Sequence, residues 1–546
     1  MRLDGSDVRH ELSVVARSPS QYVGGPEPVT EIRMSPGGDW ALARAASQLY
    51  LLPVPPANGA AAPVVDLGAP DISATRLTRI GADYFDWADD GRSITWSVGA
   101  TFRRVALEAA RDTTQGVAEE RAQSFSVPVE VARDVPRGAL LLRGATAITM
   151  RGDEVIENAD ILVIDNRISA IGRAGEVPVP SGAMLRDVRG RYVVPGFVDT
   201  HAHWFSIRRE ILDLQHWAFL ANLAYGVTSG LDVQPFTVDV FAYQDLIDAG
   251  LMLGPHAWST GPGVFVNSGI DSREEAIAVL TRYRDYYRTR NIKSYMVGGR
   301  RERQLMTDAA RELGMMPTTE GASDLTLNLT HAIDGFAGNE HALPVSPLHE
   351  DVIRLYAGSR IAYTPTLSVL YGGWPALDDF IIHGQLSRDA KLARFTPPDV
   401  IEERLRNRHW LPAEAQTYQS FAQDAVRIQR AGGLVGMGSH GEVQGLGYHW
   451  EMQAYASGGA TPREVLHAAT AASSEIIGRA KEVGTLEAGK LADLVILEKD
   501  PLQDIRNTLS IREVMKNGRL YEADSLDEIW PRQRALGPLW FRHEAP

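Results

Sequence analysis

The chain has 546 residues, too many for one ordinary domain, and its 44% hydrophobic and 23% charged content is that of a globular protein with a sizeable core. A net charge of −14 argues against nucleic acid and against an anionic membrane surface as partners. The absence of cysteine excludes disulfides, thiolate metal ligands and a cysteine nucleophile together, which leaves His, carboxylate and Lys for any metal.

The N-terminal run from Met1 to Asp7 is polar and holds no apolar signal core. No stretch approaches about 20 consecutive apolar residues, so no membrane-spanning segment is expected. As written, the chain is expected in the cytoplasm; as a fragment of a longer precursor it would be periplasmic or secreted.

Residues 1–137 read as a β-rich segment of short strands and turns. Ile32 to Ala43 followed by Gln48 to Val54 is echoed by Tyr84 to Trp96 followed by Phe102 to Leu107. Each piece is a strand, an Asp/Gly turn, an alternating strand and another strand, the pattern of propeller blades repeating at about 50 residues. Two blades cannot close a propeller, so they must pack on something else. An irregular β extension is the other reading.

Residues 138–192 continue in β, with Asp165-Asn166 as a hairpin turn between Ile161–Ile164 and Ile168–Ile171. Then comes Tyr192-Val193-Val194-Pro195-Gly196-Phe197-Val198-Asp199-Thr200-His201-Ala202-His203. Successive strand side chains point to opposite faces, so His201 and His203 share one face. Two imidazoles about 7 Å apart along a strand can converge on one metal ion just beyond its end.

From 193 to 481 strand and helix patterns alternate, which implies parallel β/α units. After the His201 strand, seven candidates follow at 227–231, 256–260, 292–296, 315–320, 338–341, 361–366 and 434–440. Helical stretches at 273–290, 301–313 and 414–430 separate some of them. Eight units close a (β/α)8 TIM barrel. The excursion from Tyr371 to Leu411 reads as a lid or pocket wall. Residues 482–525 return to β, with the run Gly484-Thr485-Leu486-Glu487-Ala488-Gly489-Lys490-Leu491-Ala492-Asp493-Leu494, and 526–546 form a tail.

On the His-x-His strand and this glycine-rich run, residues 138–525 resemble the amidohydrolase superfamily, and most nearly its members carried behind TolB-type β-propellers. The resemblance implies that the two β flanks combine into one small β-sandwich beside the barrel. It also implies chemistry at the C-terminal ends of the barrel strands, where His201, His203, Lys293, Glu320, His341 and His440 fall. Lys293 matches a lysine that many members carbamylate to bridge two metals. Burial lowers a lysine pKa, and only the neutral amine takes up CO₂. An ordinary ion pair of Lys293 with Glu320 is the alternative.

Two positions depart from the family pattern. The fifth strand ends in Glu320 where His is usual, and the eighth in Ser439-His440 where Asp is usual. The exchange is read as a metal-dependent variant rather than a lost activity, because a ligand type remains at every site. The donor set suits Zn²⁺, with Mn²⁺ or Fe²⁺ as alternatives.

The resemblance therefore implies a metal-dependent hydrolase of an amide or other C–N bond. His201, His203 and His440 would hold one metal, Glu320 and His341 a second, with Lys293 bridging. His440 or Glu320 would move the proton. Arg300, Tyr363 and His449 are candidates for substrate contact, while His331, on a helical stretch, is read as structural. A small-molecule substrate and a homo-oligomer are expected. The competing readings are a non-catalytic binding or assembly subunit and a metal-dependent lyase or decarboxylase.

Overall fold

The two echoing N-terminal pieces each fold as a four-stranded antiparallel sheet. Glu31–Met34, Trp40–Ala45, Gln48–Pro53 and Thr75–Arg76 form the first in that order. Tyr84–Ala88, Ser93–Val98, Thr101–Ala106 and Gln123–Ser126 form the second. The Asp/Gly turn of the second sheet is left-handed through Asp89, Asp90 and Gly91, which Asp and Gly tolerate best. Leu42, Leu49 and Leu51 share one core with Phe85, Ile94 and Trp96.

This is a computed structural model. It describes residues 6, 10–18, 25–55, 62–69, 73–112, 117–204, 206–265, 269–295, 298–321, 323–369, 373–384, 386–412 and 415–542. The N-terminal run apart from Ser6, together with Met296, Tyr371 and Glu414, lies outside them.

The chain divides into two units, one of Met1–Val131, Val264–Arg290 and Ser294–Met315, the other of Ala132–Gly263, Asn291–Lys293 and Met316–Pro546. The first unit thus takes in two stretches that the sequence assigns to the barrel. Specific pairs account for this. Arg76 forks onto both carboxylate oxygens of Glu275 at 3.1 Å, the Tyr287 hydroxyl donates to Asp83 at 2.5 Å, and Arg103 donates to the Tyr286 hydroxyl at 2.7 Å. Helix Arg273–Thr281, capped by Ser272, passes into a π-turn at Arg282–Tyr286, so it ends well before the expected residue 290.

In the second unit both β flanks join one nine-stranded sheet. Its order runs Arg167–Arg173, Val155–Ile164, Ala139–Ile148, Tyr192–Pro195, Leu494–Leu497, Ile511–Lys516, Arg519–Glu522 and Glu528–Trp530, with Met184–Asp187 paired onto Ala139–Ile148. Val194 opposite Val495 stitches the flanks together across some 300 residues of chain. One core holds Leu140, Ile161 and Val193 with Leu494, Met515 and Trp530. The expected Asp165-Asn166 hairpin is present, with Ile164 opposite Arg167.

Two runs of parallel strands follow. Phe197–Ala202, Val227–Asp232 and His256–Ser259 form one, and Met316–Glu320, Gly338–Glu340 and Ala362–Thr364 belong to the other. Their continuous burial is that of parallel strands covered on both faces. The expected eighth strand is irregular. It touches Tyr363 through a bridge at Val435, and the Thr200 and His440 amides then bond it to the His201 strand. The excursion before it folds as helices Gly373–His383, Ala390–Phe395 and Pro398–Asn407, with Leu386 and Leu392 packed on Tyr225, Leu446 and Trp450. No helix among the described residues is long and apolar enough to cross a membrane.

Candidate metal centre

His201 and His203 close the Phe197 strand on one face, and His440 reaches them from the irregular eighth segment. One ring nitrogen from each of the three lies within 4.8 Å of the others. The Nε2 atoms of His201 and His203 face each other at 3.2 Å. Burial, reinforced by neighbouring positive groups, holds both rings well below the ordinary histidine pKa. They therefore stay neutral, with lone pairs available.

Carboxylates fix which nitrogen is available. Glu340 Oε2 lies 2.8 Å from His201 Nδ1, and Glu442 Oε1 lies 3.0 Å from His440 Nδ1. An ionised carboxylate only accepts, so with Glu340 and Glu442 ionised each Nδ1 carries the proton and each Nε2 is left as a donor to a metal; burial raises the Glu340 carboxyl. Glu442 is held in turn by Arg404, 2.6 Å from its Oε2, on a helix of the excursion. Burial would raise the Glu442 carboxyl, but His440 and Arg404 outweigh it and hold it below the usual range. Three imidazoles, two of them backed in this way, fit a divalent transition metal.

Asp199 ties the ligand-bearing turns together. Its Oδ1 accepts from the amides of His201 and Ser439 at 3.0 and 3.2 Å, and its Oδ2 from the Ser439 hydroxyl at 2.5 Å. Complete burial pushes its carboxyl up to about 6. Gly438 allows the close approach, since a Cβ there would lie 2.5 Å from His201 Cβ. His341 and His440 both adopt left-handed backbone angles, φ 68° and 61°, uncommon for residues other than glycine and typical of functional positions.

Lys293, Glu320 and His341 form a second group. Lys293 Nζ and His341 Nε2 each lie 2.7 Å from a different oxygen of Glu320. Burial would raise Glu320, but the charges of His341 and Lys293 hold it well below the usual carboxylate range. The His341 ring lies 4.7 Å from that of His201 and 5.3 Å from that of His440, centroid to centroid. All six ligand-type residues expected at strand ends therefore meet in one place, three as a ligand cluster and three as an ion-paired group beside it.

Two of the substrate candidates, His449 and Tyr363, have their polar atoms engaged elsewhere. His449 is fully buried, with Nδ1 on the Thr508 hydroxyl and Nε2 on the Tyr225 carbonyl, each at 2.9 Å, so no ring nitrogen remains for a substrate. Tyr363 is also buried, its hydroxyl accepting from the Leu343 amide at 3.0 Å and its ring edge-on to Tyr356. Arg300 is exposed at the start of helix Arg300–Leu313, which belongs to the first unit. His331 is buried on helix Leu325–Asp334, as expected. Glu340, Glu442, Asp199 and Arg404 were not singled out from sequence. A carboxylate one or two positions from a ligand histidine was the available signal for the first two.

Residues 308–521 match the Amidohydrolase family, a span that includes Glu320, His341 and His440. An adenine deaminase of Deinococcus deserti is 32% identical over 148 residues, 26% of this chain and 25% of that protein. The match thus spans about a quarter of that relative's length. A 5-methylthioadenosine/S-adenosylhomocysteine deaminase of Symbiobacterium thermophilum is 23% identical over 421 residues, 66% of this chain and 85% of that protein. Among solved structures, a Xaa-Pro dipeptidase superposes with a TM-score of 0.53 at 18% identity, covering 70% of this chain and all of the other, a likeness of fold. Of the three clustered histidines, His440 lies within the matched span and His201 and His203 precede it.

Proposed function

We propose that this chain is a metal-dependent hydrolase on a (β/α)8 barrel, cleaving an amide or related C–N bond in a small molecule. The observation that carries the reading is the cluster of His201, His203 and His440 with its supporting carboxylates Glu340 and Glu442. The relatives, deaminases and a dipeptidase by name, point to C–N bonds.

His201, His203 and His440 would hold one divalent metal, Zn²⁺ by donor type, with Mn²⁺ or Fe²⁺ as alternatives. When bound, it supplies Lewis-acid polarisation of the scissile group and a water acidified toward pKa ~7. The chain's own residues do the rest. Glu340 and Glu442 keep the His201 and His440 rings oriented with Nδ1 protonated. Glu320, ionised between Lys293 and His341, sets a fixed negative charge beside the cluster. Lys293, 2.7 Å from Glu320, is taken as an ion-pair partner and the site as mononuclear, with a carbamate bridge between two metals as the alternative. The two N-terminal sheets are read as propeller-like blades.

The test combines metal analysis with a screen of dipeptides, N-acyl amino acids, cyclic amides and aminopurines, following release of amine or ammonia. Turnover that requires metal and disappears in His203→Ala supports the reading. A fully loaded protein inert across the panel would favour the non-catalytic alternative.

A further inference from the structure

Away from the histidine cluster, a pocket of about 640 Å³, its open mouth included, lies against the turn between strands Ile511–Lys516 and Arg519–Glu522. Four cations line it, Lys516, Arg519, Arg532 and Arg534, against the carboxylates Asp134 and Glu528. Both acids are already committed. Arg519 grips Asp134 at 2.7 and 2.6 Å and Glu528 at 2.8 Å, and Arg532 forks onto Glu528 at 3.0 and 2.7 Å.

Two cations are left over. Lys516 is 6% exposed, yet its ammonium makes no hydrogen bond or ion pair with any described residue. The carboxylates whose charge it feels are Asp493, Asp248 and Asp134. Each has another partner, Asp493 in His256 and the Asn517 amide, Asp248 in Arg133, and Asp134 in Arg519. Burial accordingly pulls the Lys516 pKa down. The Arg534 guanidinium, exposed at the same pocket, likewise pairs with none of the described residues. A buried cation without a partner is costly unless something supplies the counter-charge. Ile247, Leu251 and Leu526 add an apolar wall.

We infer that this pocket binds a small oxyanion with a short apolar body, its carboxylate or phosphate head between Lys516 and Arg534 and its body against the apolar wall. The site shares no residue with the histidine cluster and serves as a second ligand site of the same chain. The chemistry of the head is set by two cations, which accept either carboxylate or phosphate.

The experiment is calorimetric titration of the full-length, metal-loaded protein with hexanoate, hexyl phosphate and acetate. Saturable binding is expected for one or both six-carbon probes, about tenfold tighter than for acetate, the effect of burying about two of the four added methylenes. Comparing the two six-carbon probes identifies the head group. Lys516→Met and Arg534→Gln should each weaken binding about tenfold, the loss of one charge-assisted contact. His203→Ala should leave it unchanged, which separates this pocket from a carboxylate bound at the metal centre. Arg534 is exposed, so its variant decides the matter if Lys516→Met does not fold. Absence of saturable binding, indifference to Arg534→Gln, or loss in His203→Ala overturns the inference.

Discussion

His440 and Glu442, two positions apart on an irregular segment, are joined Nδ1 to Oε1 at 3.0 Å, and Glu442 is itself held by Arg404. The third histidine of the cluster therefore depends on a residue 36 positions upstream, on a helix of the excursion that the sequence suggests is a lid or pocket wall. That excursion supports the site's orientation, through Arg404, as well as packing on its neighbours.

Glu442→Gln should keep the fold and weaken metal affinity about 10- to 100-fold, the usual effect of losing a carboxylate behind a ligand histidine. A metal titration of the stripped protein measures it. Arg404→Met should do the same to a smaller degree. Equal affinity in Glu442→Gln and the parent would show that the His440 ring needs no such support.

His203→Ala should strip the metal and abolish turnover, because its Nε2 faces that of His201 at 3.2 Å and it is one of the three clustered histidines. Plasma emission on the purified variant reads the stoichiometry. His440→Asp, which restores the ligand type usual in the resembling family, should retain part of the metal that His440→Ala loses. Full metal content in His440→Ala would reduce His440 to a rim residue.

His201 and His203 were legible because strand periodicity alone puts them on one face, and His440 because it ends the last strand pattern in order. Glu340 and Glu442 were not, since their role depends on which ring nitrogen faces which oxygen. His449 and Tyr363 were misplaced for a related reason. Proximity to a strand end does not say whether a side chain turns to the mouth or into the core, and Thr508 and Leu343, which occupy their polar atoms, come from elsewhere in the chain. The strands of both flanks were legible from pattern; that the flanks combine was implied only by the resemblance, as a small β-sandwich, where the structure has one nine-stranded sheet. The attachment of 264–290 to the N-terminal unit was not, because Arg76 and Glu275 stand 199 residues apart and nothing local marks them as partners.

The helix Pro462–His467 leads to Ser473, whose hydroxyl accepts from the Met437 amide beside the ligand segment at 3.1 Å. Glu464 caps that helix and forks onto Arg430 at 2.8 and 2.9 Å, and Arg430 brings its carboxyl down to about 2. A carboxylate depressed in the folded state stabilises above its ordinary pKa near 4.5 and loses that contribution as pH falls toward 2. Glu464→Gln keeps the cap and removes the charge, so it should cost about 1 kcal/mol at neutral pH after solvent screening. Thermal unfolding of both proteins should show the gap narrowing in acid. A gap constant from neutral pH to about pH 3 would assign the loss to packing instead.

Lys293 decides between one metal and two. As an ion-paired ammonium it shares Glu320 with His341, all three buried. Removing one partner of such a pair leaves a charge poorly compensated, so Lys293→Met should destabilise by about 3–5 kcal/mol in denaturant unfolding. Replacing both, in Lys293→Met with Glu320→Leu, should recover much of that loss, because the double variant leaves no orphaned lysine–glutamate charge. Metal content should stay at one ion per chain in the Lys293→Met protein. A carbamate bridge predicts the opposite pattern. The parent would then hold two ions, Lys293→Met would lose one of them, and short carboxylic acids would restore it by standing in for the missing carbamate oxygens. Two ions per chain in the parent would overturn the mononuclear reading while leaving the histidine cluster intact. One ion with non-additive unfolding energies would establish that Lys293 acts through the charge it gives Glu320.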